Sequence, residues 1–110
     1  MPDQGLNIVA KRLREAREKK GLSQKALGIA AGIDEFSASP RINQYERGKH
    51  IPDLLTLEKL ASVLRVPVAF FFAADDQQAD LLALLDTLPR SEWANVRRYV
   101  VRKIEKYRSD

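Results

Sequence analysis

The feature that most constrains this chain is a two-residue link, Gly21-Leu22, between two stretches of helical periodicity. Upstream, Val9, Leu13 and Ala16 recur at helical spacing with Arg and Lys on the other faces, which predicts a first helix over residues 7–20. Downstream, the Ser23 hydroxyl can accept a bond from the free amides of a first turn, so a second helix is expected over 24–31, stopped by Gly32. Helices joined this closely must lie side by side.

The rest of the chain reads in the same way. Ser39 ahead of Pro40 has the form of a cap followed by a first-turn proline, so a third helix is expected to begin there and run to Glu46, with Gly48 supplying a left-handed stop. Residues 34–39 then become a loop. Pro52 and Asp53 lead into a fourth helix carrying Leu54, Leu57, Leu60, Ala61 and Leu64 and ending near Arg65. Pro67 opens a short fifth, with Val68, Phe71 and Phe72 as expected core anchors.

Asp75 and Asp76 suit the N-terminus of a sixth helix, whose stripe of Leu81, Leu82, Leu84, Leu85 and Leu88 is ended by Pro89. Residues 90–108 predict a seventh, amphipathic and basic. Trp93, Val96, Val100, Ile104 and Tyr107 form its apolar stripe, and Arg97, Arg98, Arg102, Lys103 and Lys106 surround it. That stripe either forms a dimer surface or packs on its own domain, and the basic face can add phosphate contacts. Without strand-like alternation or repeats, the expected fold class is all-α, with a domain over 7–74 and a helical extension over 75–110.

Composition narrows the function classes. A chain of 110 residues can bury one core without staples, and the lack of cysteine excludes disulfides, thiolate metal sites and a cysteine nucleophile. No catalytic nucleophile with its base, metal-ligand cluster or glycine-rich phosphate loop is present, so neither an enzyme nor a cofactor or metal is expected. The start, Met1-Pro2-Asp3-Gln4-Gly5, lacks the pattern of a signal peptide, and no apolar run reaches membrane-span length, so a cytoplasmic protein with no membrane partner is expected. A net charge of +4 favours a polyanionic partner without deciding for one.

The local wording sharpens this. Gly21-Leu22-Ser23-Gln24, Ile42-Asn43-Gln44-Tyr45-Glu46-Arg47-Gly48-Lys49 and Pro52 resemble the motifs of the Xre family, the lambda-repressor-like and Cro-like regulators. Val9-Ala10-Lys11-Arg12-Leu13-Arg14 resembles the family's first helix, and Val66-Pro67-Val68 with Phe71-Phe72 its fifth. The resemblance implies a five-helix helix-turn-helix domain, here with one or two appended C-terminal helices, whose third helix enters the major groove of double-stranded DNA. The function it implies is a sequence-specific transcriptional regulator, a repressor acting as a homodimer on a two-fold operator, with no small-molecule ligand expected. An antitoxin that autoregulates its operon with the same domain is the alternative.

By the same resemblance, Gln44 is expected to contact bases, since a carboxamide can pair bidentately with adenine, and Arg41 can fork onto guanine or a phosphate. Ser39 and Asn43 are further base-contact candidates, although a serine there can simply cap the helix. Gln24 is implied to hold a phosphate and orient the third helix. Arg47 and Lys49 are implied to touch the DNA backbone, adding affinity without specificity, and His50, the only histidine, is read as a loop residue with a backbone phosphate contact as its other option. Arg17 and Glu46 are implied to form a partly buried ion pair between the first and third helices, a structural role.

Two departures from the family's pattern stand out. The turn before the third helix is longer by about four residues than the short turn of a helix-turn-helix. Its Asp34 and Glu35 would repel phosphate, and its Phe36 is expected to pack on the domain, with contact to a thymine methyl as the other option. Arg65 also stands where the family often has glycine after the fourth helix, a position of modest strain if the left-handed geometry is kept.

Overall fold

The first helix, α1 (Gln4–Lys19), turns Val9, Leu13 and Ala16 into the core, and at Gly21 the chain adopts a φ of 71° that lets it double back at once. α2 (Gln24–Ala30) follows, its first turn capped by Ser23, whose Oγ accepts from the Ala26 amide at 2.9 Å. After α3 (Glu35–Glu46) and α4 (Leu54–Leu64) come a 3₁₀ turn (Val68–Phe72), α5 (Asp76–Thr87), a second 3₁₀ turn (Arg90–Glu92) and α6 (Trp93–Ser109). This computed structural model describes residues 4–109. Met1, Pro2 and Asp3, part of the segment considered as a leader, lie outside the described residues, among which there is no strand.

The core is built from one face of each early helix: Leu13 from α1, Leu27 from α2, Ile42 from α3, and Leu57 and Leu60 from α4, with Phe71 closing it from the 3₁₀ turn. The turn replaces the expected fifth helix, which is why the two appended helices are α5 and α6. Its phase also changes the anchors. Phe70 and Phe71 are buried and meet edge to face at 6.0 Å, Val68 is half-buried, and Phe72, expected inside, is 53% exposed. A period of three rather than 3.6 puts consecutive phenylalanines on other faces than an α-helix would.

The largest correction concerns α3. It does not begin at Ser39-Pro40 but a full turn earlier, so residues 34–39 are not a loop and Ser39 is not the cap. The capping residue is Asp34, in extended conformation, whose carboxylate accepts from the Ser37 amide at 3.0 Å. Pro40 therefore lies inside the helix, where a proline costs about 3 kcal/mol. Being in the second turn, it removes only one ladder bond, the one to the Phe36 carbonyl, and its ring is exposed. Complete burial of Ala38 and Ile42 on the opposite face offsets the cost.

α4 ends at Arg65, which holds a left-handed conformation with φ 57° and ψ 48°, the geometry for which glycine is usual. Arg12, 1% exposed, then fixes how the chain leaves the domain. Its Nε donates to the Ala73 carbonyl at 2.8 Å, and its Nη1 pairs with Glu15 and with Asp76 at 2.9 Å each. Burial alone would lower the guanidinium pKa, but the hydrogen bonds to Glu15 and Asp76 outweigh it and raise it.

α5 is thereby seated on the domain through buried Ala79 and half-buried Leu82 and Ala83. α6 is not. None of its described residues is buried, it has no extensive packing partner beyond the short turn that leads into it, and Tyr99, Val100, Ile104 and Tyr107 are exposed. The start of the stripe packs on its own chain, with Trp93 and Val96 half-buried beside Leu85, and the rest of it is left without intramolecular cover. The chain is correspondingly elongated, 57 × 35 × 22 Å.

Candidate nucleic-acid interface

What α3 exposes follows from its phase. Ala38 and Ile42 are buried and Tyr45 half-buried on one side. Turning by about 100° per residue, the opposite side presents Phe36, Pro40, Gln44 and Arg47, all exposed, with half-buried Asn43 between them. Arg41 is exposed on the flank, and Lys49 and His50 are exposed in the turn that follows. Gly48, at φ 73°, makes that turn, and the Lys49 amide bonds back to the Gln44 carbonyl at 3.0 Å.

Three cations of this surface, Arg41, Arg47 and Lys49, form no ion pair among the described residues. The acidic groups at the start of α3 are occupied locally. Asp34 caps the helix, which lowers its pKa chiefly through the Ser37 hydrogen bond, and Glu35 pairs with Lys25 at 3.3 Å. Confined to one end, they leave the rest of the exposed face positive or neutral.

A polar cluster sets the direction in which this face points. Glu46, at the end of α3, accepts from Arg17 Nε at 2.6 Å and Nη2 at 3.0 Å, and from Gln24 Nε2 at 3.2 Å. Its side chain is 4% exposed and that of Arg17 13%. Hydrogen bonding to Glu46 is the main cause of the raised Arg17 pKa. Arg17 also donates to the Leu22 carbonyl at 2.9 Å, so one guanidinium ties α1, the Gly21-Leu22 link and α3 together. Gln24 Nε2 reaches Asn43 Oδ1 at 3.3 Å as well, so Gln24 and Asn43 brace one another.

The structure thus brings Gln24, Asn43, Arg17 and Glu46 into one network and gathers Arg41, Gln44 and Arg47 on or beside the exposed face of α3. Ser39, half-buried within the helix, stands away from the centre of that face. Sequence reasoning missed two features. The Arg12 latch carried no signal beyond a glutamate three residues on. The close seat of α2 on α3, where Gly28 faces Ala38, is one that small residues permit without announcing.

This arrangement of a short α2, a tight turn and a braced α3 with an exposed polar face has known counterparts. Residues 13–71 match the helix-turn-helix family. The chain belongs to that family. This helix-turn-helix protein is 36% identical over 79 residues to the SPbeta prophage-derived HTH-type transcriptional regulator YonR of Bacillus subtilis (strain 168), covering 72% of this chain and 69% of that one. It is 36% identical over 64 residues to an HTH-type transcriptional regulator of Sinorhizobium medicae (strain WSM419), of whose length it spans only 43%. The crystal structure of the transcriptional regulator BswR superposes with a TM-score of 0.77 at 42% identity, covering 84% of this chain and 92% of that chain. The family is one of DNA-binding transcriptional regulators rather than enzymes. No helix among the described residues is long and apolar enough to cross a membrane.

Proposed function

We propose that this helix-turn-helix regulator is a cytoplasmic repressor that binds a two-fold operator as a homodimer, with α3 of each copy in the major groove. The observation that carries the reading is the exposed face of α3. Gln44 stands near its centre with a carboxamide suited to adenine, and Arg41 and Arg47 flank it as unpaired donors for guanine or phosphate. Arg17, Gln24 and Glu46 hold the helix from behind, and Lys49 and His50 add backbone contacts at its exit. Repression follows by occlusion, since a dimer seated on an operator keeps other proteins off the same grooves.

The homodimer rests on α6. Its exposed Tyr99, Val100, Ile104 and Tyr107 require cover, and its flanks carry Arg97, Arg98, Arg102, Lys103 and Lys106. α5 is the complementary element, with exposed Leu81 and Leu84 beside Asp80 and Asp86 and no basic residue. α6 of one copy against α5 of its partner would pair both the apolar stripes and the charges, twice over by symmetry.

Selection from a pool of random duplexes, combined with sedimentation of the bound species, tests the reading. A two-fold consensus with half-sites about 34 Å apart, bound by two copies, is the expected result. No enriched sequence, or a single copy bound to an asymmetric site, would contradict it.

A further inference from the structure

We infer that Phe36 is a specificity residue that reads the 5-methyl group of a thymine in the major groove, an inference that rests on the DNA-binding role of α3 proposed above. The side chain is 91% exposed, the most exposed of the large hydrophobic residues described. The backbone that carries it is held in place nonetheless. Asp34 caps the turn that carries it, and the Lys25–Glu35 pair ties the same turn to α2.

Its phase assigns the target. Phe36 lies on the same side of α3 as Pro40, Gln44 and Arg47, opposite buried Ala38 and Ile42, and therefore on the face proposed to enter the groove. The added N-terminal turn lengthens α3 by roughly 6 Å, close to two base-pair steps, so the helix carries Phe36 beyond the bases within reach of Gln44. Phe36 and exposed Pro40 together offer a ring, an aliphatic ring and no side-chain donor or acceptor. Of the groups lining the major groove, only the thymine methyl is recognised by apolar contact; the others are hydrogen-bond donors and acceptors. An aromatic side chain facing solvent in the free protein thus finds apolar cover in the complex.

The test starts from the duplex that the wild-type protein selects from a random pool. Each thymine in it is replaced singly by uracil, which removes the methyl and nothing else, and binding of wild type and Phe36→Ala is measured by fluorescence anisotropy. The wild type is expected to lose about fourfold in affinity at one thymine position per half-site, the worth of one methyl group's burial. Phe36→Ala is expected to bind the thymine duplex more weakly and to be indifferent to uracil at that position, with an unchanged melting temperature because the side chain touches no core residue. A selected sequence without thymine in its half-sites, wild-type indifference to every substitution, or equal sensitivity in Phe36→Ala would overturn the inference while leaving DNA binding in place. Failure to select any sequence would instead remove the DNA-binding reading, and the inference with it.

Discussion

A Cβ placed on Gly28 would sit 2.7 Å from the Cβ of Ala38, closer than two carbon atoms can pack, so α2 and α3 meet at a point where only glycine fits. Gly28→Ala should therefore force the helices apart and destabilise the protein by about 1–3 kcal/mol, the range for overpacked cores. Chemical denaturation of Gly28→Ala, Ala38→Gly and the double variant checks this. The double variant should recover part of the summed loss, since the facing methyl is gone, but not all of it, because the new Cβ still meets the Ala38 Cα at 2.9 Å and its carbonyl oxygen at 3.0 Å. Strict additivity would show that the Ala38 backbone, not its methyl group, limits residue 28.

Glu46 takes hydrogen bonds from both Arg17 and Gln24 while almost wholly buried, so the network should behave as a unit. Replacing either Arg17 or Glu46 alone by alanine leaves a poorly solvated charge and should cost about 3 kcal/mol or more. Denaturant unfolding of Glu46→Ala at near wild-type stability would show that the pair is dispensable. Gln24→Ala, which leaves the ion pair intact, should have the smaller effect.

What was legible in the sequence was mainly what local chemistry decides. Ser23 caps the helix it precedes, Pro52 and Asp53 lead into α4, and Val9, Leu13, Leu57 and Leu60 are core as their spacing implies. The start of α3 was not legible because Asp34 and Ser39 are rival caps and Pro40 favours the second. The choice is made by Ala38 and Ile42 packing against the rest of the domain, which no local rule registers. Phe36 was misread for the same reason, since an inserted loop would fold back whereas an added helical turn points outward. The α6 stripe shows helical periodicity plainly, but periodicity does not say what covers it.

Acid should loosen the caps of α3 and α4 and the contacts of Asp76. Hydrogen bonds from the side chains and then the amides of Ser37 and Thr56 to Asp34 and Asp53, and from Lys11 and Arg12 to Asp76, hold all three pKa values below the ordinary carboxylate value. A carboxylate whose pKa falls on folding adds stability in full above its unfolded pKa, near 4, and loses it as pH drops through the folded value. Melting temperature should thus be flat from about pH 7 to 5 and decline below about 4. Asp34→Asn keeps a capping group that does not titrate, so its decline should be shallower. Parallel curves would exclude Asp34 from the acid response.

Arg65 holds its left-handed backbone at a cost that glycine would not bear. A non-glycine residue there is strained by roughly 1–2 kcal/mol, and glycine gives back up to about 1 kcal/mol through the freer unfolded chain, so Arg65→Gly should be neutral or more stable by about 1 kcal/mol. Arg65→Val, with a branched Cβ in the same conformation, should be less stable than wild type. Thermal melts of the two variants giving the reverse order would contradict the strain.

The central claim is that the exposed face of α3 reads bases, and Gln44 tests it most directly. At one fixed salt concentration, the affinities of wild type and Gln44→Ala should be compared on the selected duplex and on a scrambled duplex of equal length. Loss of a bidentate base contact should cost about 1–3 kcal/mol on the selected duplex, roughly five- to 150-fold, with nearly unchanged binding to the scrambled one. Equal affinities of the two proteins for both duplexes would contradict the account.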